Sequence, residues 1–237
     1  MAIKDRVVVI SGAAGGLGRV VAHTFAQAGA RLALVGKNPG KLAELEQDLA
    51  LSPDRILSYA VNLIQPGAAA SLHEAVLAKF SQVDILLHFV GGWIGGKPLV
   101  QVTVEEVSSM LDQHVWTTFH LAQAFIPELL KNSWGRFIVI SSPVVSNPPA
   151  NSAPYTLGKS GEEALVLTLA EELKYSGVTA NIIRVRTIDV QHERDTTPTP
   201  KNASWTTPEE IVAAIAYLCS EEAGAMNGAR LSLYGSI

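Results

Sequence analysis

Seven short runs rich in β-branched and aliphatic residues punctuate the chain, at Arg6–Ile10, Arg31–Val35, Ile56–Val61, Asp84–Val90, Arg136–Ile140, Thr179–Val185 and Ala229–Leu233. Between them apolar positions recur at helical spacing, so the pattern predicts strands alternating with helices. Such alternation builds a parallel sheet, because parallel neighbours need a crossover long enough to hold a helix. The runs are apolar on both alternations, as in Ile85-Leu86-Leu87 and Phe137-Ile138-Val139-Ile140, whereas a strand with one wet face would alternate apolar and polar. Helices must cover both faces. The expected fold is therefore α/β, a doubly wound seven-stranded parallel sheet.

Local chemistry marks several helix ends. Thr103 with Glu106, and Thr207 followed by Pro208 and Glu210, read as capping boxes, the second with proline at the first helical position. Gly29 ends the helix that Gly16 begins. A long helical pattern opens at Tyr155 and runs to about Ser176. With no internal repeat and no interdomain linker, residues 1–237 are expected to form one domain. The segment His192–Thr207, containing Pro198 and Pro200, reads as a mobile loop near the site.

Composition narrows the function classes. The chain is 48% hydrophobic and 17% charged, which suits a large buried core and argues against disorder. A net charge of −4 without a lysine or arginine cluster removes nucleic acid as an expected partner. Met1 leads through Asp5 and Arg6 straight into Val7-Val8-Val9-Ile10, too short and wrongly flanked for a signal peptide. No apolar stretch is long enough to span a membrane. The single cysteine, Cys219, excludes an intrachain disulfide and a cysteine-based metal site, and reads as a small buried hydrophobe in a reducing cytoplasm.

The segment Ser11-Gly12-Ala13-Ala14-Gly15-Gly16-Leu17-Gly18 follows the first strand directly and opens the first helix. Glycines there let the backbone approach a pyrophosphate, whose charge is stabilised by free N–H groups and the helix dipole. This makes Gly12, Gly16, Leu17 and Gly18 candidate cofactor contacts and the fold Rossmann-type. At the end of the second strand, where an acidic residue would accept from a ribose 2′-hydroxyl, the chain reads Gly36-Lys37-Asn38. An ammonium without a carboxylate favours a 2′-phosphate, so NADP(H) is preferred over NAD(H), with Lys37 as its reader.

Tyr155 and Lys159 lie four residues apart, hence on one helix face. Ser142 lies thirteen residues before Tyr155, at the end of the fifth strand, the sheet edge where doubly wound folds bind ligands. Together the glycine turn, the Tyr-x-x-x-Lys pair and the serine resemble the short-chain dehydrogenase/reductase family across nearly the whole chain. The resemblance implies a single NAD(P)-binding domain that interconverts a small-molecule carbonyl and alcohol by hydride transfer. It implies Tyr155 as general acid in reduction and base in oxidation, and Ser142 as hydrogen-bond donor to the substrate oxygen. Lys159 would stabilise the tyrosinate and bond the nicotinamide ribose; a free phenol titrates near pH ~10, so a nearby cation is needed. It also implies a homodimer or homotetramer. Ala164-Leu165-Val166-Leu167 is compatible with such pairing, and core packing explains it equally well.

Several positions depart from the family pattern. Asn62 stands where an aspartate usually meets the adenine, and His88-Phe89-Val90-Gly91 replaces Asn-Asn-Ala-Gly, keeping only Gly91. His114 occupies the place of the asparagine that completes the catalytic tetrad, which makes it a candidate for holding a water or shuttling a proton. Val185-Arg186 replaces the usual Pro-Gly, leaving Thr187 and the backbone around Ile188 as the nicotinamide contacts. Arg186 reads as an anion binder, an ion-pair partner of Asp189, or a surface residue. The connection from Val185 to Pro208 is short for a substrate lid. These departures keep open a dinucleotide-binding sensor or assembly module with little catalysis. An epimerase or dehydratase fits less well, since those relatives append a substrate domain.

Overall fold

The computed structural model describes residues 3–234; residues 1–2 and 235–237 lie outside that description. Strands β1 (Val7–Ser11), β2 (Arg31–Gly36), β3 (Ile56–Ala60), β4 (Ile85–His88), β5 (Gly135–Ser141), β6 (Val178–Val185) and β7 (Arg230–Leu233) form one sheet. Their order is β3-β2-β1-β4-β5-β6-β7, and every neighbouring pair is parallel. The strand order reverses between β1 and β4, which opens a crevice at their carboxyl ends.

Helices α1 (Gly16–Gln27), α2 (Pro39–Leu49), α3 (Ala68–Phe80), α4 (Val104–Leu111), α5 (Thr117–Lys131), α6 (Ala153–Glu172), α7 (Glu193–Thr196) and α8 (Pro208–Leu218) connect the strands. The two-sided apolar strands are explained by two separate cores. Val8 and Ile10 pack on one face with Phe25 of α1, Leu42 of α2 and Ile215 of α8. Val7 and Val9 pack on the other with Leu72 of α3, Phe125 of α5 and Val166 of α6. Burying both faces is what makes the strands uniformly apolar.

Both expected capping boxes form, Thr103 with Glu106 and Thr207 with Glu210. Gly29, at φ +81°, turns the chain out of α1. Cys219 is fully buried, and burial pushes its thiol up to about 12. Most strand ends differ by one residue from the expected runs, and three expectations change further. β4 stops at His88 rather than Val90, because Phe89 and Val90 leave the ladder to wall the site below. α6 begins at Ala153 and ends at Glu172. The segment read as a mobile loop holds α7 and is laced together: Arg194 forks onto Glu210 at 2.9 and 3.0 Å, and the Asn202 amide donates to the Glu193 and Thr197 carbonyls.

Candidate active site

A cleft of about 420 Å³ opens at the carboxyl ends of the central strands. Its wall includes Gly12, Gly16, His114, Tyr155, Lys159 and Ile188. A neighbouring depression of about 350 Å³, walled by Lys37, Lys41 and Asn62, shares the Gly12 and Gly91 rim. The structure thus brings the glycine turn, the tyrosine–lysine pair and the expected 2′-phosphate reader around one continuous concavity. Lys41, one turn into α2, was not singled out by the strand-end argument; it faces the same depression from the helix.

The glycine turn needs its glycines for different reasons. Gly12 sits at φ +78°, which only glycine adopts without strain, and a Cβ at Gly18 would lie 2.3 Å from the Gly12 carbonyl oxygen. No side chain caps α1, so the N–H groups of its first turn lack a side-chain acceptor at the cleft. That cradle fits a dinucleotide diphosphate in chemistry and in backbone approach.

Behind the turn, His88 is consumed structurally. The Thr117 hydroxyl donates to the Gln113 carbonyl at 2.7 Å, so His88 Nε2–H donates to Thr117 Oγ1 at 3.1 Å. His88 Nδ1 then accepts from Ser11 Oγ at 2.6 Å. Burial, with the Lys159 and His114 charges adding, lowers its pKa to about 3, so the ring is neutral and bolts β1 and β4 to the start of α5.

His114 lies not in a regular helix but in a widened π turn, Asp112–Trp116, between α4 and α5. Its ring fits because Gly91 and Gly158 lack side chains: a Cβ would come within 2.5 Å of Cε1 from the first and 2.9 Å of Cδ2 from the second. Nε2 lies 3.0 Å from the Gly92 carbonyl and so donates to it, while the buried Nδ1 has no partner among the described residues. Burial first, then the Lys159 charge, lowers its pKa to about 3. Near neutral pH the ring is an uncharged acceptor, edge-on to Tyr155 at 5.6 Å between centroids.

Lys159 is buried, and its Nζ donates to the Ile140 carbonyl and to Glu162, each at 2.7 Å. Ser142 stands at the end of β5, buried, its Oγ accepting from Val144 N–H at 3.5 Å. The cleft wall at that point is formed by Ile140 and Ser141, with Ser142 one residue further along the chain. Arg186 lines the cleft, and its suggested ion pair with Asp189 does not form. Asp189 instead accepts from the Glu193 and Arg194 N–H groups at 2.9 and 2.8 Å.

Two carboxylates on α6, Glu162 and Glu163, went unread in the sequence although the Lys159-x-x-Glu162 spacing was visible there. Glu163 is bound by Arg184 and Arg230; burial pushes its carboxyl up, and those hydrogen bonds outweigh it, leaving it below the ordinary range. Among the described residues no group of three or more histidine, cysteine or carboxylate side chains is placed to hold a metal, and no helix is long and apolar enough to cross a membrane.

A sequence profile of the family described as short chain dehydrogenase matches residues 6–201. The chain is 27% identical to 2,3-dihydroxy-2,3-dihydro-p-cumate dehydrogenase of Pseudomonas putida, over 98% of this chain and 94% of that one. It is 24% identical to 3-oxoacyl-(acyl-carrier-protein) reductase of Salmonella typhimurium, over 100% and 99%. A crystal structure of a short chain dehydrogenase from Bacillus anthracis superposes with a TM-score of 0.88 at 27% identity, covering 98% of this chain and 96% of the other. With the parallel sheet, the glycine turn and the Tyr155–Lys159 face already in place, the chain belongs to the short-chain dehydrogenase/reductase family of NAD(P)-binding oxidoreductases.

Proposed function

We propose that the protein is a single-domain, NADP(H)-preferring oxidoreductase that interconverts a small-molecule carbonyl and alcohol, with Tyr155 as the general acid/base. The observation that carries this reading is that Tyr155 and Lys159, one turn apart on α6, share a cleft wall with the glycine turn. Lys37 and Lys41 in the adjoining depression, whose wall among the described residues holds no carboxylate, support the 2′-phosphate.

When bound, the nicotinamide supplies or takes the hydride. The first-turn N–H groups of Gly16, Leu17 and Gly18 would hold the diphosphate, and Asn62 and Gly91 would line the adenosine side. Lys159, with one N–H beyond those given to Ile140 and Glu162, would hold the nicotinamide ribose, and the Ile188 backbone in the same cleft wall would hold the carboxamide. Tyr155 gives its proton to the carbonyl oxygen in reduction and takes it back in oxidation. Ser142, whose Oγ accepts from Val144 N–H, keeps its own O–H to donate to that oxygen. His114, uncharged, is held by the Gly92 carbonyl and packs edge-on against Tyr155; with its Nδ1 buried, it would have to shift its ring to meet a water.

The apolar groove of about 550 Å³ between α5 and α6, lined by Phe119, Ala122, Ile126, Leu165 and Leu169, supports a homodimer or homotetramer. The single buried thiol supports a cytoplasmic setting.

Tyr155→Phe is expected to abolish turnover across a panel of aldehydes and ketones while leaving NADPH affinity within about twofold. Reduction by that variant at the parent rate would remove Tyr155 from the mechanism. Tight NADPH binding by the parent with no carbonyl reduced and no alcohol oxidised would favour the sensor module.

A further inference from the structure

Two cations stand in the wall of the cleft, Lys159 and Arg186, and among the described residues that wall holds no carboxylate. Their situations differ. Lys159 is buried with Glu162 at 2.7 Å, so its charge has a counter-ion inside the protein. Arg186 is exposed and has no ion-pair partner among the described residues. Asp189, three residues on, spends its two carboxylate oxygens on the Glu193 and Arg194 N–H groups. The side chain also stands where the family pattern has glycine, so it is this chain's own addition to the cleft.

The guanidinium is restrained. Its Cζ lies 5.4 Å from the centre of the Tyr234 ring, a cation–π contact that leaves the N–H groups open to an acceptor. Arg184, two residues back on β6 and hence on the same face, and Arg230 of β7 both donate to Glu163. Three guanidiniums against one carboxylate leave this end of β6 and β7 with an excess of positive charge.

The cofactor's own anions lie elsewhere. In the sheet β6 is the third strand beyond β1, about 14 Å away at about 4.8 Å per strand, and the guanidinium leans further off toward Tyr234 after β7. The diphosphate cradle follows β1, and the lysines expected to read the 2′-phosphate lie beyond it, after β2. The segment does return to the glycine turn, but through Val190, whose Cγ2 would lie 2.5 Å from a Cβ at Gly16. Arg186 shares its part of the wall with Tyr155, where the reacting carbonyl is held.

We propose that Arg186 binds the carboxylate of the substrate, so that the protein acts on small oxo acids and the corresponding hydroxy acids. The inference deepens the proposed function and rests on its reading of the cleft as the place of carbonyl chemistry. One guanidinium fork matches the two oxygens of one carboxylate. A phosphate dianion would need further donors, and Lys159, the other cation of the wall, is already paired. Anchored at its charged end, the acid is held with its carbonyl turned toward Tyr155, and a neutral ketone of the same size lacks that anchor.

The test compares acids with their uncharged counterparts. Pyruvate, acetoacetate and levulinate set the carbonyl progressively further from the carboxylate. Each is assayed beside its methyl ester for reduction by NADPH, and binding of the acids to the NADPH-loaded protein is followed by calorimetry. The parent is expected to take at least one acid in preference to its ester. Arg186→Gln should lower the kcat/KM for that acid relative to the ester by about 10- to 100-fold, as for loss of a charge-assisted hydrogen-bonded pair, and chiefly through KM. Arg186→Lys, which keeps the charge and loses the fork, should fall between the two. Melting temperature and NADPH affinity should stay near those of the parent, because the residue is exposed and far from the diphosphate cradle. Esters taken as well as acids by the parent, or an acid-to-ester ratio unchanged in Arg186→Gln, overturns the inference. A fall in NADPH affinity overturns it too, by giving the guanidinium to the cofactor. Failure of every acid to bind does the same, whether or not neutral carbonyls are reduced. Binding of an acid that Arg186→Gln abolishes, without turnover of any carbonyl, would uphold the anion site and sink the enzymatic reading instead.

Discussion

Single residues divide the site's labour. At Gly18 a methyl group would meet backbone on both sides, the Gly12 carbonyl at 2.3 Å and the Ala13 Cα at 2.7 Å, so neither neighbour can yield cheaply. Gly18→Ala is expected to displace the turn and cost about 1–3 kcal/mol, read as a lower midpoint in urea together with lost NADPH fluorescence enhancement. Lys37 and Lys41 differ in kind, since both are exposed and neither supports the core. Their joint replacement by serine should weaken NADPH about 10- to 100-fold, as expected for losing charge-assisted hydrogen bonds, and leave NADH binding and melting temperature nearly unchanged. A drop in both cofactors alike would mean that the lysines meet something other than the 2′-phosphate. Glu162 shows the opposite economy: Glu162→Leu would strand the buried Lys159 cation and destabilise the protein by about 3–5 kcal/mol, where Glu162→Gln keeps the hydrogen bond and should cost far less.

At the scale of elements, the strands and caps were legible because their causes are local. A β-branched run flanked by turns, or a threonine three residues before a glutamate, carries its signal within a few positions. The π turn was not legible in that way. It is set by the meeting of α4, α6 and the Gly91-Gly92 segment around the His114 ring, a contact between residues far apart in sequence. The same holds for the end of β4: Phe89 and Val90 are apolar enough for a strand, yet they wall the cleft, and only the tertiary arrangement separates the two uses. Glu162 and Glu163 carried no reading in the sequence because their burial depends on partners on α6 itself and on β6 and β7. Because α6 approaches both α4 and the π turn so closely at Gly158, where a Cβ would lie 2.9 Å from the Met110 carbonyl and 2.9 Å from His114 Cδ2, Gly158→Val should push Tyr155 and Lys159 out of register. The expected reading is a loss of activity larger than the loss of melting temperature.

For the whole molecule, the two buried histidines tie stability to pH. Each has a folded pKa of about 3, below its ordinary 6.5. The unfolded chain therefore takes up protons below pH 6.5 that the folded state refuses, and stability present above that value is lost as the pH falls toward 3. At pH 5 the loss is about 2 kcal/mol for each ring. Glu162, with its carboxyl raised, works the other way and recovers part of it on acidification; the depressed carboxyls of Glu163 and Glu210 add to the loss below about pH 4.5. Melting temperatures should accordingly fall between pH 7 and 5, and His88→Asn should flatten that slope. An equal slope in the variant would place the acid sensitivity elsewhere.

The cleft and the depression beside it meet only along Gly12, Gly15 and the Phe89-Val90-Gly91 segment, a seam made largely of main chain. On the function proposed above, the side chains that would choose the cofactor lie on one bank and those that would handle the proton on the other. Selection, or an engineer, can therefore rewrite one bank without renegotiating the other: acidic residues at positions 37 and 41 would steer the scaffold toward NAD(H), while α6 went on with the same chemistry.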